Sequence, residues 1–365
     1  IDSLTFVFDV GMSLQITNFK EGNVKKNAKN ADFEYAVGGF RLMPKVGLAF
    51  GIIPFTNIGY NYQSTGTVNR DDISGTTTYT NTYSGEGGLH EAFVGLGWQP
   101  VKGVSLGVNG GYLWGNCTRT VSNAYSDSYV NTLSKTMSFD VTNYKVNFGV
   151  QLSRNLSAKD LLTLGATYSI GHKLNADPTL DIVSTNSQTS VTDTIQFVAN
   201  NGIELPHEFA LGLAYTHNNS FTVAFDYQMQ QWSKVHYPKY NDTGNGKPTF
   251  YSASGMFSDR QKFNLGMEYC RDKAGRNFAS RVCYRLGASY TTPYLKINGL
   301  EGPKEFSVSG GFGLPIINQW NNRSILNISA QWVRSSAKDM ITENTFRINI
   351  GLTFNDRWFA KWKFD

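Results

Sequence analysis

The residues able to do chemistry are few and scattered. Five histidines, His90, His172, His207, His217 and His236, share neither the i, i+4 spacing nor the short His-x-His spacing that holds a metal ion, so they read as solvated side chains. The acids Asp9, Glu91, Glu208 and Glu268 lie far apart in the chain. Catalysis by paired carboxylates needs two of them at a fixed short separation, and a polar lining is the simpler role. The pairs Gly38-Gly39, Gly110-Gly111 and Gly310-Gly311 precede no helical pattern, so they are bends in strands rather than phosphate cradles. Cys117, Cys270 and Cys283 fit no zinc spacing. This inventory points away from an enzyme and calls for no cofactor or metal.

The elements that carry these residues are betrayed by composition and period. Aromatics make up 14% of 365 residues, with 36 glycines, while charged residues reach only 17%, against roughly 25% in an average soluble domain. Mean hydropathy is negative, and no run of 18 apolar residues exists, which excludes a helical membrane span. Strands that alternate lipid-facing and lumen-facing residues escape that test. The net charge of +5 comes from scattered Lys and Arg, not a basic stripe, so no nucleic-acid partner is expected.

Period two is clearest at the ends. Leu4, Phe6, Phe8, Val10, Met12, Leu14 and Ile16 alternate with small or polar residues, and Phe346, Ile348, Ile350, Leu352 and Phe354 alternate with Arg347, Asn349, Gly351 and Thr353. Twelve further segments read the same way, near 32–42, 46–62, 89–98, 104–115, 142–152, 161–172, 207–216, 221–230, 260–270, 281–291, 304–314 and 324–333. Connections alternate between short (43–45, 99–103, 217–220, 315–323) and long polar ones (63–88, 116–140, 175–206, 231–259). The pattern predicts an all-β, transmembrane, antiparallel up-and-down β-barrel of about 14 strands, with short periplasmic turns and long extracellular loops. An even count puts both termini in the periplasm of a cell with an outer membrane. The barrel is one domain, 1–354, followed by a cationic and aromatic tail, 355–365. A soluble barrel would need its apolar face inside, yet the opposite face is polar and small. Trp98, Trp114, Tyr215 and Trp332 at strand ends suggest interfacial girdles. A lumen of this size, above the roughly eight strands that side chains alone fill, calls for a plug or a ligand.

Cys270 and Cys283 fall on the non-apolar face at the two ends of one periplasmic hairpin, where export permits oxidation. A cross-hairpin disulfide and two free thiols both fit. Cys117 begins a long external connection and reads as unpaired. Pro54 interrupts the third segment, where its missing N–H removes a ladder bond. Phe50, Ile52, Ile58 and Tyr60 keep one parity across it, so no net register shift is expected.

The stretch from Gly51 through Pro54, Phe55 and Gly59 to Tyr60 resembles the third-strand segment of the FadL-like outer-membrane proteins of the Bacteroidota. The opening Ile1-Asp2-Ser3-Leu4-Thr5-Phe6 and the closing Glu343 to Phe359 resemble that group's first strand and tail. The resemblance implies passive transport of hydrophobic compounds by a fourteen-stranded barrel with a luminal N-terminal hatch. It also implies lateral release at a kink, here Gly51, Pro54, Phe55 and Gly59; a bulge without traffic is the alternative. The sequence opens at the first strand, so the hatch lies outside these residues or this member lacks one. Asp193-Thr194-Ile195 resembles the sequon glycosylated in that group, making Thr194 a candidate. Expected partners are outer-membrane lipid and a hydrophobic ligand or detergent in the lumen. The second reading keeps the fold and makes the chain a non-transporting subunit or scaffold of an outer-membrane machine for protein secretion or barrel assembly. Its partners would be outer-membrane proteins or lipoproteins, gripped by the long loops and by Arg357, Trp358, Phe359, Lys361, Trp362 and Lys363.

Overall fold

A computed structural model describes residues 6–22, 24–68, 77–242, 247–273, 275–297, 299–317, 323–338 and 340–356. The tail contacts expected of Arg357, Trp358, Phe359, Lys361, Trp362 and Lys363 lie outside the described residues. The first seven strands are β1 (Phe6–Glu21), β2 (Val24–Met43), β3 (Val46–Val68), β4 (Thr77–Val101), β5 (Val104–Tyr125), β6 (Thr132–Asn155) and β7 (Asp160–Ser169). A small hairpin, β8 (Thr179–Thr185) with β9 (Thr192–Val198), precedes β10 (Glu208–His217) and β11 (Phe221–Gln230). A second hairpin, β12 (Tyr237–Asn241) with β13 (Thr249–Ala253), precedes β14 (Arg260–Cys270) and β15 (Cys283–Thr291). The two-residue strands β16 (Lys296–Ile297) and β17 (Leu300–Glu301) then lead to β18 (Lys304–Ile317), β19 (Arg323–Ser336) and β20 (Thr342–Asp356).

Fourteen of these close a barrel: β1 to β7, β10, β11, β14, β15, β18, β19 and β20, with β1 paired to β20 and β5 to β6. Closure gives every wall strand a partner on both sides over at least part of its length, as a membrane interior demands. The oily alternate set faces outward: Met12, Leu14, Leu96, Tyr112, Leu211, Leu286 and Ile350 are all exposed. Their neighbours in sequence form the lumen's polar network. Arg347 donates to Gln15 at 2.9 Å, and Arg285 donates to Glu268 at 2.8 Å and to Asn327 at 2.6 Å. The expected transmembrane barrel is the observed fold.

The short turns owe their tightness to backbone that few residues tolerate. Asn218 and Asn219 both take positive φ, 52° and 53°, the central pair of a type I′ turn closed by the Ser220 N–H donating to the His217 carbonyl at 3.1 Å. Lys45 (68°) and Gly103 (86°) turn the β2–β3 and β4–β5 hairpins. The other rim differs from expectation. Segments 63–88 and 116–140, read as loops, are largely strand: β3 to β6 run 23, 25, 22 and 24 residues, although about 9 to 11 residues cross the hydrocarbon. Apolar alternation stops where the wall leaves lipid, but backbone pairing continues. β8 extends this wall by pairing with β6 from Thr132 to Ser138.

Candidate lateral opening and luminal cluster

β2 and β3 pair from Met43 opposite Val46 to Ala36 opposite Ile52, and there the ladder stops. Beyond that point β3 pairs with β4 alone and β2 with β1 alone. The parting strands both carry an extra residue at this height. On β3, Pro54 faces His90 and Thr56 faces Leu89, so Phe55 is the bulge; on β2, Tyr35 faces Gly11 and Phe33 faces Met12, so Glu34 is the bulge. A bulge bends and twists its strand, and two on facing strands turn them apart. Pro54 contributes an edge without a donor. A side-chain hydrogen bond crosses the split, from Asn57 Nδ2 to Asp32 Oδ1 at 3.3 Å.

The bulge overturns the expected register. Phe50 and Ile52 pair with Val94 and Ala92 on the lipid face, but Phe55 inserts one residue, and side chains alternate with a period of two. Ile58 therefore points inward and packs in a luminal cluster, and Tyr60 follows it, opposite Gly85. Gly51 stands one rung before the last, opposite Val37, where a Cβ would come within 2.7 Å of the Ala36 carbonyl. Gly59 has open space around it, so nothing in its surroundings demands glycine.

Behind the split lies an apolar cluster. β4, β5 and β6 supply Leu89, Leu113, Cys117 and Val141, and the connection between β7 and β10 supplies Leu174, Ala176 and Ile203. Leu113 is 0% exposed and Leu174 2%. The two arms of that connection are tied together, Leu174 N to the Ile203 carbonyl at 2.9 Å and Leu205 N to that of His172 at 2.8 Å, and so reach into the lumen as one piece. Phe55, Ile58, Phe139 and Leu205 pack on the rim of the cluster. Beside it Lys145 Nζ sits 3.3 Å from Glu91 Oε2, with Glu91 buried, and 4.9 Å from the centre of the Phe55 ring. The kink is thus linked to the lumen wall by an ion pair and a cation–π contact. Towards the short turns, small side chains including Ser105, Thr163, Ala214 and Ala224 and the glycines Gly107, Gly149 and Gly212 leave a luminal space of about 450 Å³.

The other candidate residues are dispersed. Cys270 and Cys283 face each other across β14 and β15 and are joined by a disulfide. They form, with Glu268, the one His, Cys or acid group of metal-ligand spacing among the described residues, and the bonded sulfurs leave it no thiolate pair. Cys117 starts no loop; it lies within β5, free and buried in the cluster. Three histidines are half-buried and partnered: His172 stacks on Tyr144 at 4.4 Å, His207 Nδ1 meets the Tyr168 hydroxyl at 2.8 Å, and His236 Nδ1 meets Glu204 at 2.7 Å; His90 and His217 are exposed, as expected. Asp9, Glu208 and Glu268 line the lumen on separate strands, each with its own partners. Thr194 is exposed on β9, in a strand rather than a loop. Above the barrel, Tyr237 accepts from Arg119 at 3.1 Å, and burial raises its phenol above the ordinary value. No sequence signal marked the Glu34 bulge, the inward connection or the Glu91–Lys145 pair as parts of one site.

The pattern of the BamG family matches residues 2–365. The chain belongs to the BamG family. No curated protein matches this BamG chain. Among solved structures it is similar to the Pseudomonas putida toluene transporter TodX, at 12% identity and TM-score 0.61, over 98% of this chain and 91% of that one. The Ralstonia pickettii toluene transporter TbuX gives 12% and 0.58 over 96% and 89%, and a Pseudomonas aeruginosa FadL homologue gives 12% and 0.52 over 97% and 89%. At such identity the likeness establishes a FadL-type barrel.

Proposed function

We propose that this barrel is a passive conduit for hydrophobic compounds in the outer membrane, releasing them sideways between β2 and β3. The carrying observation is that the split opens onto an apolar luminal cluster, through Phe55 and Ile58. A hydrophobic compound can then leave the lumen for lipid without crossing the polar network below. The long-stranded rim faces outside in this reading, and the short turns and both termini face the periplasm. The toluene transporters of the same fold support the substrate class. The test is Asp32→Cys with Asn57→Cys, which stand across the split. Oxidation is expected to stop uptake of a radiolabelled aromatic hydrocarbon by proteoliposomes, and reduction to restore it; equal uptake by the oxidised protein rules out the lateral route.

A second reading, a subunit or scaffold of an outer-membrane machine for protein secretion or barrel assembly, is favoured by the polar wall of β3 to β6, far taller than a membrane requires, and by BamG membership. Gentle-detergent purification separates the two. Stoichiometric co-purifying proteins support the subunit, and a lone barrel with bound lipid or hydrocarbon supports the conduit.

A further inference from the structure

We infer that the outward face of the long-loop rim over β18, β19, β20, β1 and β2 binds the phosphorylated headgroups of outer-leaflet lipid; only the choice of leaflet rests on the orientation proposed above. The registers order this face in rows. The lowest is oily: Val308, Trp332, Phe346 and Ile16 are successive cross-strand neighbours. One step higher are Arg334, Asn344, Asn18 and Asn27. Higher still, Lys304 lies opposite Ser336, and Thr342, Lys20 and Lys25 are successive partners. Lys29, opposite Ile16, completes five outward cations. Apolar, aromatic, amide and cationic groups thus follow one another along the membrane normal, the order of acyl chain, interface and phosphate.

Among the described residues the cations have no counter-charge. None of the five forms a hydrogen bond or ion pair through its side chain with the described residues. The acids of these strands at this rim, Glu21, Asp32, Glu34, Glu305 and Glu343, stand at luminal positions. Lys20 directly opposes Lys25, an arrangement of like charges that destabilises a sheet unless an anion sits between them. Two grooves share Arg334. One, of about 510 Å³, adds Lys20 and Thr342, and the other, of about 360 Å³, adds Lys304 with Phe306 and Tyr290 as an apolar floor. Each offers a cationic edge for a phosphate, and the second an oily bed for the chain below it. The opposite sector makes the contrast: Tyr168, Phe209, Met229 and Gln261 form the corresponding row on β7, β10, β11 and β14, without a charge.

The test uses the full chain in neutral detergent, with native mass spectrometry reading binding of a diphosphorylated lipid A, the same lipid stripped of phosphate, and inorganic phosphate. The phosphorylated lipid is expected to bind at least about tenfold more tightly than the stripped one, and less tightly as salt rises. That preference disappears in Lys20→Gln/Arg334→Gln/Lys304→Gln and persists in Lys102→Gln/Lys159→Gln at the short-turn rim. Heat-modifiable gel migration reports folding; should the triple variant not fold, the two-lipid comparison and its salt dependence decide. Equal affinity for the two lipids, an unchanged triple variant, or displacement of the lipid by millimolar inorganic phosphate overturns the inference. Transport enters no readout, so the conduit can fail while the lipid site stands.

Discussion

The seam between β1 and β20 and the junction between β2 and β3 are both antiparallel pairings of the same sheet, yet one closes and the other parts. At the seam fifteen residue pairs run unbroken from Phe6 opposite Asp356 to Lys20 opposite Thr342. At the junction seven pairs form before the ladder ends. Strand length does not separate them, because β2 and β3, at 20 and 23 residues, are longer than β1 and β20. What differs is the inserted residue. β1 and β20 keep step with each other, whereas Glu34 and Phe55 are each one residue too many for the strand on the far side, β1 and β4. The wall opens where two bulges face one another, and Pro54 only withholds a donor from the gap they make.

This contrast can be broken from the seam first. Ile350→Lys places a charge on the lipid face between Met12 and Ile328; it is expected to destabilise the barrel by about 3 kcal/mol in urea titrations in lipid vesicles, while Gly59→Lys, on the free edge with open space, stays within about 0.5 kcal/mol. An equal loss at both sites would mean that the edge above the kink is embedded in lipid. Leu113→Ala hollows the luminal cluster behind the split and is expected to cost about 2 kcal/mol, the low end for a buried leucine because water can enter the lumen. Pro54→Ala is expected to change stability by no more than about 0.5 kcal/mol and to leave the split open, since the Phe55 bulge remains. Hydrogen exchange checks this: amides of β2 and β3 that face the split above Ile52 exchange fast in both proteins, and the β1–β20 amides exchange slowly. Protection of the β3 edge in Pro54→Ala would assign the opening to the proline alone.

Much of the wall was legible in the sequence. The strands next to short turns, such as β10 from Glu208 to His217 and β11 from Phe221 to Gln230, lie within a residue of their expected ends, because alternation and turn residues agree there. β4 begins at Thr77 rather than near 89, because above the lipid both faces are polar and alternation carries no signal while the backbone still pairs. Pro54 flagged the site, but the direction of Ile58 was not readable: a bulge is a relation between two strands, and the same parity means opposite faces on its two sides.

The chain's period of two, its turns and its even strand count suffice for a membrane barrel, since lipid outside and polar lumen inside select one face at every crossing. Which wall strands part, which loop turns inward to bury Leu174 and Ile203 against Leu113, and which cations meet at one rim were decided only when distant segments took a common register. Those outcomes depend on residues dozens to hundreds of positions apart, and pairing across the sheet is the force that brings them together.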